Sequence, residues 1–149
     1  MNVHGTHHFD APRERVFAAL RDPRVLMAVI PGCQEVHQVA DDEYEGRMSL
    51  RLPGAVGTYR TSVRLVDVQQ PERSGLEGRV EGAMGSITGK AQFVLVETTS
   101  GTDIEYHGSG VIQGPLARLD SRFAEKLADS LIGQGLTALE SRLVTEDAA

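Results

Sequence analysis

Few residues in this chain have the type and spacing to do chemistry. They are one cysteine (Cys33), an N-terminal histidine group (His4, His7 and His8), the run Asp103, Glu105 and His107, and three tyrosines at 44, 59 and 106. A cysteine nucleophile needs a nearby cation to depress its pKa, and His37 is the only local candidate. In an extended segment the two share a face but stand too far apart to hydrogen-bond, so Cys33 reads as a small buried thiol. The histidines have the donor type for zinc. On a strand, however, His4 and His8 lie on one face about 13 Å apart and His7 faces the other side. Two ligands of one zinc sit within a few ångströms of each other, so this segment reads as a solvated edge strand and no metal is expected. Asp103, Glu105 and His107 fall on the outward face of their strand, a poor place for chemistry sheltered from water. The tyrosines combine an apolar body with a hydroxyl that seeks a partner when buried, which suits polar handles inside a pocket.

Composition narrows the function classes. The chain has 149 residues, 40% hydrophobic and 24% charged, which suits one globular domain over residues 1–149. Twenty-one acids against 15 bases give a net charge of −6, which argues against nonspecific binding to nucleic acid or to an anionic membrane. Trp is absent and aromatics are only 5%, too few for a base-stacking platform. A single cysteine excludes an intramolecular disulfide and any multi-cysteine zinc site. No apolar run approaches the roughly 20 residues that span a bilayer, and the N-terminus does not read as a secretory signal; a cytoplasmic location is expected.

The elements that would position these residues follow from periodicity. Residues 2–9 alternate as a first strand. Asp10 and Pro12 read as the start of a short helix carrying Val16, Phe17 and Leu20 on one face. Asp22-Pro23 breaks it, and Arg24 to Ile30 reads as a second short helix that Pro31-Gly32 ends. The period then changes to two in five alternating segments: residues 43–52, 59–65, 76–81, 87–95 and 103–112. Pro53-Gly54, Gln70-Pro71, Gly85 and Ser100-Gly101 serve as turns between them. Arg60 or Arg64 is expected to pair across strands with Glu43 or Glu45 and keep the outer face soluble. After Gly114-Pro115 the period lengthens. Leu116, Leu119, Phe123, Leu127, Leu131, Leu139 and Leu143 form one stripe of a helix from Leu116 to Val144, about 40 Å long. Gly133 and Gly135 interrupt it, and Thr145 to Ala149 read as a frayed end.

The class is therefore α+β: a curved antiparallel sheet of about seven strands wrapped on a long C-terminal helix, with two short helices after strand 1. A bent sheet and a straight rod cannot touch along their whole length, so the architecture itself predicts a cavity. Gly46, Gly78, Gly89, Ala91, Gly108 and Gly110 all face inward and leave volume. The competing reading is that these glycines let the sheet bend.

Ile30-Pro31-Gly32-Cys33, Tyr44-Glu45-Gly46, Thr102 to Tyr106, and Gly114 to Leu119 leading into Ser121-Arg122-Phe123 resemble the carbon monoxide dehydrogenase G-subunit family. That family lies within the START-like (SRPBCC) helix-grip superfamily, and the resemblance covers nearly the whole chain. Two positions depart from it: Asp120 stands where the family more often has Gly, and Phe17 where Trp is common. The resemblance implies a hydrophobic pocket and an accessory or recruitment role beside a molybdenum-containing dehydrogenase complex, none of which is catalysis of carbon monoxide oxidation. The long C-terminal extension of some members is not expected after Ala149, which leaves transient membrane contact as the most this chain would make. The pocket residues expected are Leu26, Met48, Phe93, Tyr106, Phe123, Leu127 and Leu131, the ligand a lipid, isoprenoid or quinone-like molecule, and no cofactor. Two alternatives stay open: a polyketide cyclase or aromatase-like enzyme on the same fold, which needs an acid/base pair inside the cavity, and a ligand-free assembly factor with a filled core.

Overall fold

The structure, a computed structural model, describes residues 1–51 and 56–148. The elements run β1 (Asn2–Phe9), α1 (Arg13–Arg21), α2 (Pro23–Val29), β2 (Cys33–Ala40), β3 (Glu43–Leu50), β4 (Gly57–Gln69), β5 (Arg73–Gly82), β6 (Gly85–Glu97), β7 (Thr102–Gln113), a 3₁₀ turn (Pro115–Arg118) and α3 (Ser121–Ala148). All seven strands form one antiparallel sheet in the order β1-β7-β6-β5-β4-β3-β2, so β1 crosses to pair with β7 while the rest is a meander. The turn at Pro53-Gly54 expected from the sequence lies outside the described residues.

Alternation sets the two faces. On β6, Phe93 and Leu95 are buried while Lys90 and Gln92 are exposed; on β7, Thr102 and Ile104 are buried while Glu105 and His107 are exposed. The buried rows face α1, α2 and the C-terminal half of α3. There Phe9, Val16, Phe17, Val25, Val29, Phe93, Leu95, Ile104, Leu139 and Leu143 form the main core. A second apolar cluster sits at the other end of the same face, with Tyr59 and Leu116 buried among Met48, Leu50, Val80, Met84, Ile87, Ile112 and Leu119.

Several local expectations change. Asp10 does not cap α1: its carboxylate lies 3.0 Å from His8 Nε2, and Pro12 occupies the cap with no side-chain bond. Asp22 instead caps α2, accepting from the Arg24 amide at 2.9 Å, with Pro23 at the first helical position. The long helix begins at Ser121 rather than Leu116. Gly114 takes φ 81°, Pro115 opens a 3₁₀ turn, and Asp120 accepts from the amides of Arg122 and Phe123 at 2.9 and 3.3 Å. Asp120 therefore works as a helix cap. Leu116 and Leu119, three residues apart, fit a 3₁₀ turn as well as an α-helix, so the stripe alone could not place the boundary. The helix also continues through Ala148, past the expected fraying point. Residues 33–40 form edge strand β2, irregular between Cys33 and Glu35 and again between Gln38 and Ala40.

Candidate functional site

The concave face carries an apolar cluster at each end and a band of small side chains between them. Across this middle run Thr61, Val63, Gly78, Gly89, Ala91, Gly108 and Gly110, all half-buried. The glycines divide into two kinds. A Cβ at Gly46 would fall 2.3 Å from the Glu35 carbonyl, at Gly89 2.9 Å from the Ser109 carbonyl, and at Gly108 2.9 Å from the Ala91 Cβ. These three let neighbouring strands approach and the sheet bend. Gly78 is different: the only atoms within 4 Å of a Cβ there are the Ser62 carbonyl at 3.4 Å and Val63 Cγ2 at 3.6 Å. No described atom of α3 reaches it. The sequence could not separate these cases, because both need the same residue.

The expected pocket residues distribute accordingly. Phe93 belongs to the main core, its ring centroid 5.8 Å from that of Phe17. Tyr106 is half-buried against the same cluster, and Met48 packs into the second one at the far end. Leu26, Leu127 and Leu131 are half-buried, and Phe123 is 41% exposed. The set thus straddles the middle band rather than forming one packed cluster.

Of the three tyrosines, Tyr44 is used structurally: its hydroxyl donates to the Arg21 carbonyl at 2.6 Å and ties β3 to the α1–α2 junction. Tyr59 is buried under Leu116. Tyr106 lies across Gly5, where a Cβ would come within 2.5 Å of the phenol oxygen. Burial, with a smaller contribution from the Asp129 carboxylate, pushes its pKa up, so the phenol stays protonated and can donate. Among the described residues it makes no hydrogen bond.

The histidines go to separate tasks. His7 faces α3, with Nε2 2.8 Å from Glu140 Oε2. His8 points outward, with Nδ1 2.6 Å from Asp103 and Nε2 3.0 Å from Asp10; Ser100 Oγ lies 3.2 Å from Nε2. The hydrogen bond to Asp103, joined by that to Asp10, raises its pKa and so favours the imidazolium form. No set of three or more histidine, cysteine, aspartate or glutamate residues among those described could hold a metal. Cys33 is half-buried with its thiol pKa pushed up by burial, and His37 is turned to Glu35 at 3.7 Å. Neither feature supports a nucleophile.

The outward face carries a broad groove of about 850 Å³, lined among others by Val39, Arg64, Glu77, Arg79, Lys90 and Val111. Arg64 pairs with Glu77 at 2.8 Å and Arg60 with Glu81 at 3.3 Å. The acids are on β5, not Glu43 or Glu45 on β3 as the sequence suggested. The register sets Ser62 opposite Glu45, which leaves Arg64 between Glu43 and Glu77.

A curved antiparallel sheet closed by a C-terminal helix, with two short helices after the first strand, defines a helix-grip protein of START-like class. Solved structures agree. A conserved protein from Geobacillus kaustophilus superposes with a TM-score of 0.93 at 21% identity, over 97% of this chain and 96% of that one. A Mycobacterium smegmatis protein gives 0.73 at 16% (96% and 90%), and one from Chromobacterium violaceum 0.71 at 18% (94% and 95%). At these identities the likeness is one of fold. No curated protein matches the chain. The family model for the carbon monoxide dehydrogenase G-subunit (CoxG) matches residues 5–144, and the chain belongs to that family.

Proposed function

We propose that this protein binds an apolar small molecule, of lipid, isoprenoid or quinone-like class, between α3 and the middle of the concave face. It does so as an accessory factor of a carbon monoxide dehydrogenase-type enzyme. The observation that carries the reading is at Gly78: between two apolar clusters, a Cβ on the floor of the sheet would meet only the Ser62 carbonyl and Val63 within 4 Å. Phe93 and Met48 would close the two ends, Leu127 and Leu131 would form the roof with Leu26 beside them, and Phe123 would stand at the mouth. Apolar walls with a single polar group are the usual composition of a small-molecule site. The Tyr106 hydroxyl supplies that group, a donor for a carbonyl or similar oxygen at one end of an otherwise apolar ligand.

The family supports the accessory part of the reading through the enzyme named in its description. Native mass spectrometry of gently purified protein tests the ligand directly. A discrete added mass that organic extraction removes is expected. Repeated spectra of the bare chain, together with no uptake of a long-chain quinone from detergent, would leave the filled-core scaffold as the surviving account.

A further inference from the structure

The outward face of the sheet has a charge pattern that the binding reading does not use. Three rows of side chains cross it. The first runs Glu43, Arg64, Glu77, Lys90 and Ser109; the second Glu45, Ser62, Arg79, Thr88 and Val111; the third Arg47, Arg60, Glu81, Ser86 and Gln113. Across the six strands from β2 to β7 the middle of the face lies between β4 and β5. On the β4 side the charged residues are Arg60 and Arg64, and on the β5 side Glu77, Arg79 and Glu81.

Consider a two-fold axis in the plane of the face, parallel to the strands and passing between β4 and β5. It keeps each row in place and exchanges β4 with β5, β3 with β6, and β2 with β7. Arg64 of one copy then faces Glu77 of the other, Arg60 faces Glu81, Glu43 faces Lys90, and Arg79 faces Ser62. No like charges oppose one another. The same operation sets β7, where Val111 is 63% exposed, over edge strand β2, where Val39 is 51% exposed. Both valines line the outer groove. We propose that this face is an isologous interface and that its occupant is a second copy of this chain, with the charge rows in the middle and the two valines at the margins.

A surface pattern that matches itself under a two-fold is the requirement for a closed dimer. The central charges are already paired within their own copy, Arg64 with Glu77 and Arg60 with Glu81. Within each copy Glu77 also meets Lys90 at 3.8 Å and Glu81 also meets Arg79 at 3.2 Å. Association gives Arg64 and Arg60 a second carboxylate and extends this network between copies, the arrangement in which surface ion pairs contribute measurably. Aligned sheets stack at about −30° because of their twist, which concentrates contact on the central strands β4 and β5, where the complementarity is densest. The interaction is electrostatic and exposed, so it weakens with salt.

The test is a charge swap read by sedimentation equilibrium. Wild-type protein is expected to dimerise in low salt and dissociate in high salt. R64E sets a carboxylate against Glu77 of the other copy at both symmetric contacts, and E77R sets a guanidinium against Arg64 of the other copy likewise. Each single variant should weaken the dimer by about tenfold or more. Mixed in equal amounts, the two variants form a heterodimer in which opposite charges meet again at both contacts, so the mixture should dimerise as the wild type does. Each single variant also breaks its own internal Arg64–Glu77 pair, and mixing cannot repair that. Rescue by mixing therefore reports the contact between copies alone. Circular dichroism confirms that both variants fold. A wild type that stays monomeric to millimolar concentration, single variants that dimerise unchanged, or a mixture that fails to reassociate would each overturn the proposal.

Discussion

His7 on the first strand and Glu140 near the end of the last helix meet at 2.8 Å, across 133 residues of sequence. The same strand is tied to α3 a second time, where the Asn2 amide donates to Glu125 at 3.0 Å. The two links flank Gly133, where a Cβ would meet nothing within 4 Å. Edge strand β1 is thus held to the helix by polar contacts as well as by packing of Phe9. Replacing Glu140 by Ala removes a partly buried hydrogen bond and should cost about 1 kcal/mol in chemical denaturation. Faster amide exchange over residues 2–9 than elsewhere in the sheet would mark the effect as local to β1.

Filling the middle of the concave face should separate binding from folding. At Gly78 a new Cβ meets its neighbours at 3.4 and 3.6 Å, close to ordinary contact, so Gly78→Leu is expected to fold and to project its side chain toward α3. Uptake of an apolar fluorescent probe should fall at least about tenfold, and the melting temperature should change little. Unaltered uptake in a folded Gly78→Leu protein would move the ligand elsewhere. Tyr106→Phe should act more narrowly, weakening a ligand that carries a carbonyl by roughly 1 kcal/mol and leaving a plain hydrocarbon unaffected.

The His8 clamp makes stability depend on pH in a defined direction. Its folded pKa is raised above the ordinary 6.5, chiefly by the bond to Asp103, so the folded state favours the imidazolium. A raised folded pKa gives stability that is fully present below 6.5 and is lost as pH rises through the folded value. The stability difference between wild type and His8→Ala should therefore be largest below 6.5 and shrink as pH rises through the raised folded value. Urea titrations at a series of pH values read this. In Asp103→Asn, proton NMR should show the His8 titration midpoint moving back down.

Thr102 is fully buried, and its hydroxyl donates to the Ala11 carbonyl at 2.8 Å, fastening the start of β7 to the loop before α1. Thr102→Val preserves shape but leaves a buried carbonyl without that donor, which costs on the order of 1–3 kcal/mol. Thr102→Ser keeps the donor and should recover most of the loss; equal destabilisation by both substitutions would point to packing of the methyl group instead.

Much of the fold was legible in the sequence because its signals are local. Alternation in β3 to β7 names the buried side of each strand, and the Leu139/Leu143 spacing names the helical stripe that joins the core. Pro23 after Asp22 marks the break between α1 and α2. These features need only a chain's own period and its turn chemistry. The start of α3 was less legible, since a 3₁₀ turn and an α-helix share the Leu116/Leu119 spacing and only the cap at Asp120 decides between them.

Tertiary structure decided the rest, for a physical reason that recurs at each site. A glycine in a strand states only that a side chain is missing. Whether the vacancy is taken by a neighbouring backbone, as at Gly46, or left open, as at Gly78, depends on strands paired through register rather than adjacent in sequence. The partner of a polar group is equally nonlocal: Arg64 chose Glu77 over Glu43, His7 reached Glu140, and Tyr44 spent its hydroxyl on Arg21 while Tyr106 kept its own. The sequence determined which residue types were present on each face. Only the folded chain, by setting distances across strands and helix, determined which of them meet.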